Sequence, residues 1–203
     1  MSWLSISDLK KENLIMKITR ENLVKWEACK GWLDWFDEKF PNQSGDYQEI
    51  LDSLAIDNKP SYARFLINKA GTINTEIKLE SINAKNFFFA GTVIVEKSIK
   101  VEIEIIAGRG IEAGEGIEAG EGIKAGWGIN AGEGIKAGWG IEAGEGIKAG
   151  EGIKAGRGIE AGEGVEAGWG IKVGDGGIKA GGLVEAGCGI EVGGGIEAGW
   201  GIK

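Results

Sequence analysis

Histidine is absent from the 203 residues, and cysteine and proline occur only twice each. Without histidine the chain has no Ser-His or Cys-His nucleophile pair and lacks the commonest metal ligand of proteins. The two cysteines, Cys29 and Cys188, stand in different halves of the chain, so they form neither a disulfide framework nor a metal motif. The composition therefore predicts a non-enzymatic protein of a reducing compartment, with no catalytic residue, no cofactor and no metal site.

A long hydrophobic run is also missing. Residues 1–16 carry charged side chains and no apolar core of a signal peptide, and no later run is long enough to span a membrane. The net charge is −8, and most of it lies in residues 71–203, which hold 20 acidic and 13 basic side chains. We therefore expect a cytoplasmic protein that contacts no membrane and binds no nucleic acid directly, and whose acidic half suits a protein partner with a basic surface.

Residues 1–70 are predicted to form a small helical domain. From Thr19 to Phe40 apolar residues recur every three or four positions, as on one face of a single helix, and Pro41 ends the stretch. The amphipathic stretches 45–58 and 59–70 predict two further helices, the last with Pro60 in its first turn. A core of about 70 residues is marginal alone, so we expect this domain to cap the element that follows.

Residues 71–203 carry 36 of the 38 glycines and repeat one six-residue unit, Gly-Ile-x-Ala-Gly-x. The phase runs from about Phe87, or already from Ile77, to Ile171; one residue is then inserted at 174–177, and the phase resumes at Ile178. In an extended segment the isoleucine and alanine face one side and the residue between them faces the other, while Gly-x-Gly turns the chain. Such units bury a core only when they stack coil on coil. The pattern therefore predicts an α+β protein whose residues 71–203 form a β-solenoid, with two or three hexads per coil.

This repeat resembles the left-handed parallel β-helix of the hexapeptide-repeat proteins, many of which are acyltransferases. The resemblance covers roughly residues 75–203 and rests on the isoleucines in phase, which include Ile111, Ile117, Ile123, Ile129, Ile135, Ile141 and Ile147. That family usually has a small residue two places before the aliphatic one, where this chain has, for example, Arg109 or Glu115. Its acyltransferases use a histidine as general base, which this chain lacks. The resemblance thus implies the fold, a single-stranded parallel β-helix, and not the acyl transfer.

The residue between the two glycines of each hexad stands at a corner of the coil. We predict that these corner residues bind the partner, with tryptophans as anchors and glutamates as an acidic surface. The predicted anchors are Trp127, Trp139 and Trp169, and the predicted carboxylates are Glu115, Glu121, Glu133, Glu145, Glu151 and Glu163. Three hexads per coil would stack Glu115, Glu133 and Glu151, whereas two would stack Glu121, Glu133 and Glu145. The alternatives are a solvated Glu/Lys surface and tryptophans that cover glycine-rich gaps.

The repeat continues to the last residues, GIEAGWGIK. A coil without a cap exposes unpaired backbone groups and the apolar interior. We therefore expect a homodimer formed through the last two coils, with Ile190, Ile196, Trp200 and Ile202 in the interface.

The helical segment EACKGWLDWFDEKFP and the Gly-Ile-x-Ala-Gly body are together similar to the small repeat proteins of phages and prophages. This resemblance implies an inhibitor of a host nucleic-acid-binding defence enzyme, of the anti-CRISPR or anti-restriction type, that acts in the host cytoplasm as an acidic mimic of DNA. The alternatives are a structural or self-assembling repeat protein and an acyltransferase. Salt-dependent partner binding would favour the inhibitor, concentration-dependent assembly the structural protein, and turnover of an acyl donor the enzyme.

Overall fold

The structure, a computed structural model, describes residues 16–203. It consists of a small helical unit, hereafter the head, and a parallel β-solenoid of about seven turns, which confirms the predicted α+β class. The part of the predicted helical domain that precedes residue 16 lies outside the described residues.

The head contains four helices and one short pair of strands among its described residues. Their bounds are β1 Lys17–Thr19, α1 Arg20–Lys25, α2 Lys30–Lys39, β2 Ser44–Asp46, α3 Tyr47–Ile56 and α4 Pro60–Ala70. Strands β1 and β2 are antiparallel, with Ile18 opposite Gly45. Thr19 caps α1, because its hydroxyl accepts a hydrogen bond from the Asn22 N–H at 3.2 Å. As predicted, Pro60 occupies the first turn of α4.

The prediction of one helix from Thr19 to Phe40 is wrong. The chain leaves the helix after Lys25 and resumes it at Lys30. Glu27 adopts a left-handed conformation with φ 62°, and the Ala28 N–H bonds back to the Leu23 carbonyl at 3.0 Å, which closes α1. The apolar spacing survives this break because both helices face the same core.

The solenoid begins at residue 76 and is built of short parallel strands. Their bounds are β3 Glu76–Leu79, β4 Ile82–Phe89, β5 Thr92–Val95, β6 Ile99–Ala107, β7 Ile111–Ala113, β8 Ile117–Ala119, β9 Gly122–Ala125, β10 Ile129–Ala131, β11 Ile135–Ala137, β12 Gly140–Ala143, β13 Ile147–Ala149, β14 Ile153–Ala155, β15 Gly158–Ala161, β16 Val165–Ala167, β17 Gly170–Val173, β18 Ile178–Ala180, β19 Leu183–Ala186, β20 Gly189–Val192, β21 Ile196–Ala198 and β22 Gly201–Ile202. Ile111 pairs with Ile129, and Ile129 with Ile147. One coil is therefore 18 residues long, so the three-hexad alternative is the correct one.

Three hexads per coil give the solenoid three sides. Side 1 contains β3, β5, β7, β10, β13, β16, β19 and β22. Side 2 contains β8, β11, β14, β17 and β20, and side 3 contains β9, β12, β15, β18 and β21. The long strands β4 and β6 run through sides 2 and 3, which joins these two sides into one sheet.

The interior is filled by the isoleucine and alanine of each hexad, which are buried in nearly every coil. Phe87 and Phe89 fill the same inward positions at the first coil. The insertion at 174–177 makes one coil a residue longer, since Ile159 pairs with Ile178, and the regular register returns when Ile178 pairs with Ile196. The inserted residue lies between β17 and β18, so it widens the corner between sides 2 and 3.

The glycine that follows the alanine of each hexad is required because the preceding coil leaves no room for a side chain there. A Cβ atom built on Gly144, which follows the buried Ala143, would lie 2.0 Å from the carbonyl oxygen of Gly126 in the preceding coil. A Cβ atom on Gly146, two residues later, would lie 3.4 Å from its nearest neighbour, the Gly164 carbonyl oxygen. The first distance is impossible for a real side chain, and the second is an ordinary contact. The two glycines that flank a corner residue are therefore not equivalent.

The head packs on the outside of side 3 at the first two coils. Phe88 and Ile106 point outward from the solenoid and are buried in the core of the head. Below them the buried Glu104 carboxylate pairs with the Arg64 guanidinium of α4, and the Glu104 backbone N–H donates to the Asn86 side chain at 3.2 Å. The Asn86 amide also donates to the Ala55 carbonyl at 3.1 Å, and that of Gln48 donates to the Phe88 carbonyl at 2.9 Å. Apolar packing, a half-buried ion pair and hydrogen bonds thus fix the junction of head and solenoid.

Candidate partner-binding surface

The outer surface of each side is organised in rows that run along the solenoid. Corner residues one coil apart are joined by backbone hydrogen bonds, and the middle residues of adjacent strands are paired in register. Each corner row is numbered by the side whose strands follow it in the chain. Corner row 1 is Arg109, Trp127, Glu145, Glu163, Gly182 and Trp200, and corner row 2 is Lys97, Glu115, Glu133, Glu151, Trp169 and Cys188. Corner row 3 begins with Ile103, Glu121, Trp139 and Arg157. Neighbours in a row are about 4.8 Å apart.

The predicted anchors and carboxylates fall on all three corner rows. Row 1 holds Trp127 with Glu145 and Glu163; row 2 holds Trp169 with Glu115, Glu133 and Glu151; row 3 holds Trp139 with Glu121. One partner surface that faces a single side of the solenoid cannot contact all nine residues. The structure does bring Glu115, Glu133 and Glu151 together in consecutive coils, as the three-hexad alternative predicted.

The corner tryptophans face solvent. Trp127 is 45% exposed, Trp139 is 53% exposed and Trp169 is 62% exposed. Two of them are held by an arginine of an adjacent coil: the Arg109 guanidinium lies 4.4 Å from the Trp127 ring centroid, and that of Arg157 lies 5.1 Å from the Trp139 centroid. Such cation–π contacts restrict the orientation of the two rings.

The middle row of each side carries Glu and Lys, and ion pairs join adjacent coils. Lys136 Nζ lies 2.6 Å from a Glu118 carboxylate oxygen on side 2, and Lys148 Nζ lies 2.9 Å from Glu166 on side 1. The hydrogen bond and the charge of Lys136 lower the pKa of the Glu118 carboxyl. These exposed pairs each contribute at most about 1 kcal/mol, so the middle rows add little to the stability of the solenoid.

A shallow trough, floored by glycine, lies between the corner row and the middle row of every side. Troughs are numbered by side. Trough 1 is lined by five glutamates, one lysine and Trp127. Trough 2 is lined by five glutamates and four lysines, and trough 3 by five glutamates with Arg64 and two lysines. The acidity of the repeat is therefore least compensated in trough 1.

The residues predicted for the dimer interface lie together at the C-terminal coils. Ile190 and Ile196 are half-buried, whereas Ile202 is 54% and Trp200 85% exposed. The structure describes one chain, so the homodimer stays a prediction.

Sequence reasoning missed the surface that the head covers. The signal was present, because the outward middle position of side 3 is apolar only in the first two coils, at Phe88 and Ile106, and charged further along. An apolar residue at an otherwise polar position of a repeat indicates a covered surface.

Residues 16–203 contain no cluster of three or more potential metal ligands. No helix in this range has the length and the apolar character needed to cross a bilayer.

In the comparison with known proteins, the match falls on the head. Residues 16–72 match the family model of the YdhT N-terminal domain. This range ends where the helices end and the solenoid begins. No curated protein and no solved structure matches the chain.

Proposed function

We propose that this protein is a non-enzymatic binding protein whose acidic solenoid binds a protein partner with a basic surface. The observation that carries the proposal is trough 1, whose lining contains five glutamates, a single lysine and the exposed ring of Trp127, which Arg109 contacts. The partner in this proposal is a nucleic-acid-binding defence enzyme, which the protein inhibits by occupying the basic surface meant for nucleic acid.

The rows explain how trough 1 would attract such a partner. Glu145 and Glu163 follow one another on corner row 1, and neither has an ion pair among the described residues. Glu166 and Glu185, which follow one another on middle row 1, are paired with Lys148 and Lys203. Carboxylates at coil spacing add their potentials, which speeds association with a positively charged surface and makes it depend on salt.

Trp127 supplies the apolar anchor of this surface. A tryptophan at the centre of a contact is among the commonest hot spots of protein interfaces. Its ring is already fixed by Arg109, whose guanidinium also donates to the Asn74 side chain, so little side-chain entropy is lost on binding.

The test compares Trp127→Ala with Trp139→Ala, a matched control with similar exposure and its own arginine contact. Immobilised protein is exposed to host lysate, and captured proteins are identified and eluted with salt. We expect capture of a basic nucleic-acid-binding protein, competition by added DNA, and affinity about 30-fold weaker for Trp127→Ala only. Equal losses in both variants, or no salt-sensitive capture by the intact protein, would contradict the proposal.

A further inference from the structure

Side 2 differs from the other sides because its middle row carries lysine in three successive coils, across the trough from two successive glutamates of corner row 2. One wall is corner row 2, with Glu133 and Glu151 followed by Trp169; the other is middle row 2, with Lys136 and Lys154 followed by Lys172. The floor between the walls is glycine, without side chains.

The lysine wall is left incompletely paired within the chain. Lys136 pairs with Glu118 in the coil before it at 2.6 Å, and Lys172 pairs with Glu191 in the coil after it at 2.7 Å. Both pairs point away from Lys154, which has a lysine in each neighbouring coil. Among residues 16–203 no carboxylate lies within ion-pair distance of Lys154. Three lysines in successive coils repel one another and destabilise the folded monomer. The stability of the single chain therefore does not account for this row.

The glutamate wall cannot neutralise the lysine wall of the same chain. Glu151 and Lys154 are three residues apart in extended chain, which separates them by about 10 Å. A neutralising surface needs acidic and basic rows at this separation that repeat every coil, and side 2 of a second copy has both.

We propose that two copies of the chain pack side by side through side 2, parallel to one another, about a two-fold axis that runs along trough 2. Each corner row 2 then lies against middle row 2 of the other copy. Glu133 faces Lys136, Glu151 faces Lys154, and Trp169 faces Lys172 in a cation–π contact, and symmetry makes each contact twice. At the two preceding coils like charges meet, Glu115 against Glu118 and Lys97 against Lys100. Within each copy Glu118 is already paired with Lys136, and Lys97 with Glu80.

The charge pattern selects the parallel arrangement. A two-fold axis across the trough would make the copies antiparallel and would place each row on itself, glutamate on glutamate and lysine on lysine. Such like-charge contacts cost several kcal/mol in an interface.

The other sides are less suited to this packing. Trough 1 is acidic and repels its own copy, and trough 3 is bordered by Pro60, Ser61 and Arg64 of the head. Side 2 carries no part of the described head, and its glycine floor lets the rows of the two copies approach.

The test is sedimentation equilibrium of the full chain at low and high salt. We expect a dimer at low salt that weakens with salt, and an association constant about 100-fold lower for Lys154→Glu and for Glu151→Lys. An equimolar mixture of these two variants restores opposite charges at the contact, so it should dimerise again. Lys148→Glu, the same charge change on side 1, is the control and should dimerise like the intact chain.

The relative orientation has a separate readout. In the parallel dimer Cys188 of one copy lies across the trough from Cys188 of the other, at the same coil and about 10 Å away. A bis-maleimide of that span should cross-link the Cys29→Ser variant, and adding Lys154→Glu should abolish the product.

Three outcomes would overturn this proposal: a monomer at all concentrations, a dimer indifferent to Lys154→Glu, or a dimer lost instead in Ile202→Glu, which would place it at the C-terminal coils. Trp127→Ala should leave the dimer intact, and Lys154→Glu should leave capture through trough 1 intact, so the two proposals fail independently.

Discussion

Gly144 and Gly146, the two glycines that flank the corner residue Glu145, should differ in how substitution by alanine changes the free energy of unfolding. In Gly144→Ala the new methyl group meets the Gly126 carbonyl oxygen at 2.0 Å, where ordinary contacts begin at 3.4 Å. The coils must separate locally by more than about 1 Å, which costs roughly 1–3 kcal/mol of packing. The separation also strains the hydrogen bond from the Gly144 N–H to the Ala125 carbonyl, 3.2 Å long, worth about 1 kcal/mol.

Gly146→Ala is the matched control, because its methyl group meets its nearest neighbour at 3.4 Å. Neither glycine has a positive φ, so alanine is compatible with both backbone conformations. Both substitutions reduce the entropy of the unfolded chain, which stabilises by about 0.4–1 kcal/mol. We therefore expect Gly144→Ala to lower the free energy of unfolding by about 2–3 kcal/mol and Gly146→Ala to leave it unchanged or slightly higher.

Urea unfolding followed by far-ultraviolet circular dichroism measures this difference. With a slope of about 1–3 kcal/mol/M, the midpoint for Gly144→Ala should fall by about 1–3 M. Equal midpoints for the two variants would refute the argument that close approach of the coils, and not backbone conformation, requires Gly144.

Three further substitutions test the electrostatics. Burial raises the pKa of the Asp52 carboxyl to about 6, so its ionised form destabilises the fold above that pH and the cost disappears as pH falls below the unfolded value near 4. Asp52→Asn keeps an oxygen that accepts the hydrogen bond from the Gln48 side chain. It should raise the free energy of unfolding by at most about 3 kcal/mol at pH 8 and by little at pH 4. A gain in stability that does not depend on pH would contradict this. Lys154→Glu should stabilise the monomer by about 0.5–1 kcal/mol at low salt and low protein concentration, because it interrupts three stacked lysines, whereas Lys148→Glu should destabilise it by facing Glu166. Thermal unfolding of both variants checks the sign, and shifts in the same direction would count against the row analysis.

The β-solenoid itself was predictable, because hexads with an isoleucine every sixth residue bury these side chains only when they stack coil on coil. The number of hexads per coil was not, since inward side chains stay inward with either two or three. The pairing of Ile111 with Ile129 decides between them. Long-range register of this kind leaves no trace in a repeat whose units are nearly identical.

The interruption at Glu27 was hidden for a different reason. Leu23 and Trp32 both face the core of the head, so the apolar spacing continues across the break, and no glycine or proline marks it. The strands β1 and β2 have three residues each and are too short to show a period.

The candidate surface was predicted residue by residue but not as an arrangement. Corner positions follow from Gly-x-Gly, and the tryptophans among them are exposed. Their distribution over three sides depends on the coil length, which the sequence left open. The same uncertainty concealed trough 1 and trough 2, because a trough combines a corner row and a middle row that only the correct coil length aligns.

The 18-residue coil also limits how such a chain can change in length. Removing three consecutive hexads shortens the rod by one step of about 4.8 Å and leaves every later residue on its original row. Removing one hexad instead turns everything that follows by a third of a revolution, so that all rows are cut at that point and joined to rows of different composition. The additional residue at 174–177 avoids this outcome, because it widens one corner and leaves the number of hexads unchanged. Chains of this design should therefore vary in length by multiples of 18 residues, with single insertions confined to corners.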